Sequence, residues 1–193
     1  MSEKLTCENN IIYAFDKDTP PVKHVKAGDQ LTIETYDCFT NQIKSEDMDL
    51  GDSLDWNKVN PATGPVYVEG AEPGDILKVT IDKLEVGSEG FIVTGPGVGV
   101  FGDQFDTFHI KKLPIENDHA IFDGNLKIPL QKMIGVIGVA PEEGPINCGT
   151  PGAHGGNMDT TLVTEGATLY FPVFHKGALF ATGDFHGVMG DGE

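Results

Sequence analysis

The stretch Pro73-Gly74-Asp75-Ile76-Leu77-Lys78-Val79-Thr80-Ile81-Asp82 sets the pattern for the whole chain. A glycine turn feeds a run in which Leu77, Val79 and Ile81 alternate with Lys78, Thr80 and Asp82. Period-2 alternation puts the first set on one face of a strand and the second on the other. The stretch therefore predicts half-buried antiparallel strand. The same device recurs at Ala27-Gly28-Asp29-Gln30-Leu31 and at Glu165-Gly166-Ala167-Thr168-Leu169. Glycine supplies the φ > 0 position, and the strand starts just beyond it. After the first of these turns Leu31, Ile33 and Thr35 alternate with Gln30, Thr32, Glu34 and Tyr36, which predicts strand over 30–39.

Other turns fit the same plan. Asp123-Gly124 marks a tight hairpin, and His175-Lys176-Gly177 predicts a second one, between strands over 168–174 and 178–186. Two segments break the alternation. Residues 41–60 are acidic and weakly periodic, which predicts loop with a helical turn. Residues 141–160 are nearly all turn formers, and a loop of that length in a compact domain points to function or to disorder. The fold expected is mainly β, an antiparallel sandwich or barrel with long Gly-rich loops and minor α/β elements. It forms one domain over 1–193, with two packed β subdomains meeting near 87–107.

Charge narrows the function. The 193 residues carry 30 acids against 13 bases, all lysine, for a formal charge of −17. Such a field repels phosphate backbones and anionic membranes. The absence of arginine removes the planar fork that recognises phosphate and carboxylate bidentately. Neutral or cationic small molecules and metal ions remain. Cys7, Cys38 and Cys148 form neither a CxxC pair nor a disulfide framework. The polar start and the lack of any long apolar run predict a cytoplasmic protein.

Some apparent motifs fail on their physics. Gly97-Val98-Gly99-Val100-Phe101-Gly102 fits GxGxxG, but no helical stripe follows to offer amides to a pyrophosphate. The acidic run from Asp47 would need glycine at its sixth position and glutamate at its twelfth to be an EF-hand; Asp52 and Lys58 stand there. The four serines have no nucleophile-elbow context. Cys148 reads as a buried, inert thiol despite His154 nearby.

Other residues carry chemistry. Asp184 and His186, at i and i+2 on a strand, share one face and can supply two ligands of a divalent metal; a hydrogen-bonded Asp–His pair at a strand end is the equal alternative. Asp191 and Glu193 repeat the spacing. Asn157 and Asp159 lie with His154 on a glycine-rich loop suited to ligation or oxyanion donation. Asp37 falls on the inward face of the 30–39 strand, where a carboxylate needs a metal or a structural partner.

Three stretches together resemble the acetamidase/formamidase family: GPVYVEGAEPGD (64–75), GGNMDT running into LVTEGATLYFPV (155–173), and GDFHGVMGDGE (183–193). YDCFTNQI (36–43) is similar to the family's N-terminal acidic segment. The resemblance implies a jelly-roll-like β sandwich, a homodimer, and metal-dependent hydrolysis of short neutral amides to ammonia and formate or acetate. Family members run on well past the Gly-Asp-Gly-Glu motif, so the resemblance implies that their C-terminal third is missing here. Within that frame the residue types assign Asp37, Asp159, Asp184 and His186 to a divalent ion, zinc first and calcium second. Glu193 is assigned as general base and Asn157 as oxyanion donor. Two other readings compete: a non-catalytic Ca²⁺-binding sandwich using the acidic loop at 47–55, and an inactive fragment that needs the missing part.

Overall fold

The structure is a computed structural model and describes residues 3–190. It is mainly β and mostly antiparallel, as the alternation predicts. A six-stranded sheet runs Gly155–Asn157, Met133–Gly138, Phe180–His186, Ala62–Glu69 and Ile11–Ile12, with Lys23–Lys26 pairing in parallel to Ala62–Glu69. Met133–Gly138 is buried at every position, and its neighbour Phe180–His186 over the first five. Strands covered on both faces read as continuous apolar runs with small residues, and MIGVIG and FATG have that composition.

Facing this sheet lies a second layer of paired strands, Glu3–Leu5 with Leu31–Ile33 and Ile76–Thr80 with Thr168–Pro172. Leu77, Val79 and Leu169 from that layer pack on a core that contains Val66, Ile134, Ile137, Phe171 and Phe180. Ile76 and Tyr170 point outward and are exposed. The opening stretch thus divides its faces as its alternation requires. Gly28, Gly74 and Gly166 all take positive φ. In the first two turns the following aspartate folds back, Asp29 accepting from the Lys26 amide and Asp75 from the Glu72 amide.

A four-stranded antiparallel sheet is built from Glu89–Thr94, His109–Glu116, His119–Phe122 and Leu126–Pro129. Asp123-Gly124 makes its expected hairpin. One face packs on the 41–60 segment, where Ile43, Leu50 and Leu54 are buried against Phe91, Val93, Phe108 and Ile110. That segment holds a short helix, Leu50–Ser53, and a 3₁₀ turn, Trp56–Lys58. Asp49 and Asp55 cap them, accepting the amides of Gly51 and Asn57. The GxGxxG segment is turns and a 3₁₀ element, Gly102–Gln104.

Two expectations are corrected. The strand predicted over 30–39 pairs only at Leu31–Ile33. Beyond it Asp37 Oδ1 accepts the amides of Phe39 at 3.0 Å and Asn41 at 2.6 Å, which closes a turn. A side chain that captures local amides competes with a ladder, and here it wins. The predicted hairpin at His175-Lys176-Gly177 does not form. Thr168–Pro172 pairs with Ile76–Thr80, and the chain crosses to the other sheet through Ala178 and Leu179, both at positive φ. Two apolar runs adjacent in sequence here belong to opposite layers. No helix of the described residues is long and apolar enough to cross a membrane.

Candidate metal centre

Phe180–His186 lies between Met133–Gly138 and Ala62–Glu69, so its side chains meet groups from both neighbours. Thr182 fixes one register by donating to the Val136 carbonyl at 3.0 Å. Gly183 lies so close to Pro61 that a Cβ there would collide with the Pro61 carbonyl oxygen. Next comes Asp184, 3 % exposed and at φ +53°. Left-handed backbone at a non-glycine residue costs about 1–3 kcal/mol and persists where surrounding contacts over-determine it. His186 follows two residues on and returns to the same side.

The third group arrives from the Gly-rich loop. Asp159, also at positive φ (+40°), leaves the Gly155–Asn157 strand and turns its carboxylate toward the strand pair. His186 Nε2 stands 3.3 Å from Asp184 Oδ1 and 3.6 Å from Asp159 Oδ1. One ligand atom from each of Asp159, Asp184 and His186 lies within 4.8 Å of the others. Such a set of two carboxylates and an imidazole, largely screened from water, has the composition of a site for zinc or a related divalent metal.

The unsatisfied atoms fit the same reading. Asn157 donates from Nδ2 to Asp159 Oδ2 at 2.8 Å, which leaves Asn157 Oδ1 facing the cluster. That oxygen and Asp159 Oδ1 are buried without a hydrogen-bond partner. Buried acceptors left bare cost about 1–3 kcal/mol each, more for charged groups, and a cation would satisfy both. Burial pushes the Asp159 carboxyl above its ordinary range, and the nearby Asp184 charge adds to the shift. The geometry accommodates a divalent ion.

The predicted site residues separate accordingly. Asp159, Asp184 and His186 come together, with Asn157 beside them. The amide of Asn157 presents its oxygen, opposite in polarity to an oxyanion donor, because its nitrogen is held by Asp159. Asp37 lies outside the three-residue group, with one carboxylate oxygen bound to its own turn. It is still within the field of the cluster: burial raises its pKa, and the Asp184 charge raises it further. The inward strand face expected for Asp37 is thus replaced by a turn that its own carboxylate closes. Glu193 and Asp191 lie outside the described residues.

Two neighbours take structural places. His154 is 1 % exposed and sits edge-on to Phe15 at 5.2 Å, and burial lowers its pKa. Cys148 is fully buried, with its thiol pushed up to about 12 by burial, so no thiolate is available as a nucleophile. Sequence reasoning did not single out Gly135, where a Cβ would crowd Asp184 Oδ2, Asn157 Oδ1 and Asp159 Oδ1. Its only signal was a glycine interrupting a buried apolar run, a mark of close approach.

Relatives with the same fold and sequence pattern exist. The chain is 27 % identical to the formamidase of Methylophilus methylotrophus, across 91 % of this chain and 57 % of that protein. The crystal structure of acetamidase from Bacillus halodurans superposes with a TM-score of 0.94 at 48 % identity, covering 98 % of this chain and 63 % of that one. A recombinant predicted acetamidase/formamidase from the thermophile Thermoanaerobacter tengcongensis superposes with a TM-score of 0.95 at 55 % identity, covering 100 % and 63 %. The chain thus spans about three-fifths of the length of these relatives. The model of the Acetamidase/Formamidase family matches residues 2–147 and 147–193. With both the fold and nearly every residue accounted for, the chain belongs to the acetamidase/formamidase family.

Proposed function

We propose that this chain carries the metal-binding core of an amidohydrolase acting on short neutral amides such as formamide and acetamide, releasing ammonia and a carboxylate. The observation that carries the reading is the meeting of Asp159, Asp184 and His186 in a buried cluster that leaves acceptor atoms bare. Asp159, Asp184 and His186 hold the ion, zinc by the mix of imidazole and carboxylate, with the Asn157 oxygen alongside. Bound there, the ion would supply a Lewis acid for the amide carbonyl and would acidify a water toward neutral pH.

The chain's own groups do the rest. The Met133–Gly138 and Phe180–His186 strands exclude bulk water from the back of the cluster. Asp37, whose carboxyl is held above its ordinary range by burial, keeps one oxygen on its turn amides and has a second for a proton. Glu193 is the other candidate base, on sequence position alone. An uncharged substrate is compatible with the −17 field, and the ammonium product is attracted to it.

Elemental analysis combined with an ammonia-release assay on formamide and acetamide tests the reading. Stoichiometric zinc, lost together with turnover in Asp184→Asn and His186→Ala, is the expected result. Zinc retained undiminished by both variants would overturn the site assignment. Zinc without ammonia release would overturn amide hydrolysis by this chain alone.

A further inference from the structure

The cluster's floor is a backbone atom. Gly135 lies in the middle of Met133–Gly138, directly opposite Asp184 in a register that pairs Ile134 with Phe185 and Val136 with Gly183. A Cβ built on Gly135 would stand 2.6 Å from Asp184 Oδ2, 2.8 Å from Asn157 Oδ1 and 2.8 Å from Asp159 Oδ1. Side chains from two other strands and a loop therefore converge on the space that any other residue would fill. The glycine also fixes the loop, since its carbonyl accepts the Met158 amide at 2.9 Å, between Asn157 and Asp159. Its φ is not among the positive ones, so the backbone does not demand glycine for conformational reasons.

We propose that Gly135 is a positioning residue of the metal centre: its missing side chain lets the oxygens of Asp184, Asn157 and Asp159 meet closely enough to share one ion. This rests on the metal reading above. The collisions met by a methyl group at Gly135 are with the ends of side chains rather than with backbone. Those ends can swing aside, so Gly135→Ala folds and its strand pairing survives. What it loses is the convergence. By contrast, a Cβ on Gly138, three residues along the same strand, would meet the His154 carbonyl and the Gly156 amide, both backbone.

The test is calorimetric titration of zinc into the metal-free wild-type chain and into Gly135→Ala, with near-ultraviolet circular dichroism and urea melts of both. Affinity lower by about 10- to 100-fold in the variant, the range for disturbing groups that orient ligands, is expected. The dichroism should be unchanged. Equal zinc affinity in the two proteins would overturn the proposal. So would loss of the native spectrum in metal-free Gly135→Ala, because the glycine would then be serving the fold rather than the site. If the wild-type chain itself takes up no zinc, the metal reading fails.

Discussion

Two groups of acidic residues in this molecule do opposite things. Around 41–60 the carboxylates are turned to backbone: Asp49 and Asp55 each accept an amide at a helix start. Asp55 is partly exposed, and its pKa is lowered chiefly by the Asn57 amide bond and then by Lys58. Around the strand pair 133–138 and 180–186 the carboxylates are turned to one another, with Asp184 buried and Asp159 Oδ1 lacking a hydrogen-bond donor. Acid density alone therefore does not locate a cation. A carboxylate that already has its donors stabilises the fold, whereas one buried without them needs an external charge.

Breaking that contrast should give its largest effect at Asp184. Asp184→Asn removes a charge while keeping shape, and asparagine tolerates the left-handed backbone. Zinc affinity should fall by at least about 100-fold, equal to about 2.8 kcal/mol at tenfold per 1.4 kcal/mol. The metal-free variant should melt at higher urea than wild type, because Asp159 and Asp37 lose a like-charged neighbour. Titration calorimetry and urea melts read the two halves; a less stable metal-free variant would contradict the repulsion argument.

The next effect is a cap. Asp49→Ala should cost about 1 kcal/mol of stability, since the Gly51 amide loses its acceptor above the buried Leu50. Zinc affinity should stay at the wild-type value, and a shared loss would show that the two acidic regions are coupled.

A subtler distinction is the sign of pH dependence. Asp37 has a raised folded pKa, so the folded state binds its proton more tightly than the unfolded chain does. Its ionisation thus costs stability in full above the folded pKa, and the cost disappears below the ordinary value of about 4. Asp55 is lowered, so its contribution is favourable above about 4 and is lost as pH falls through its folded pKa. In metal-free melts Asp37→Asn should be the more stable protein at pH 7 and Asp55→Asn the less stable one. Both gaps should close on acidification, and gaps of the same sign would refute the distinction.

The smallest expected effect is none. Millimolar calcium should leave the melt of Asp184→Asn unmoved, because the carboxylates of Asp49 and Asp55 are already engaged with amides. A calcium-dependent rise would revive the reading of the acidic loop as a cation site.

Legibility from sequence followed the range of the interactions. Asp184 and His186 were readable because period 2 is local and survives even the left-handed backbone of Asp184 itself. Asp159 was readable from the company it keeps in a glycine-rich loop. Asp37 was misplaced on a strand, since alternation cannot show that its own side chain would end the strand. The false hairpin at 175–177 fails for a related reason: adjacency in sequence does not say which layer a strand joins. Gly135 was missed because its meaning lies in atoms from residues 157, 159 and 184, none of them near it in the chain.

Strand order has a consequence for how the molecule is made. The last described strand, Phe180–His186, lies between Ala62–Glu69 and Met133–Gly138. During synthesis both flanking strands leave the ribosome long before the strand that joins them, each with an open hydrogen-bonding edge and an apolar face. Sheets closed by such distant pairings assemble slowly, and open edges of this kind are sites of aggregation until they are filled. Expression with limiting chaperone capacity is therefore the condition under which this chain should be lost first, whatever the strength of its finished core.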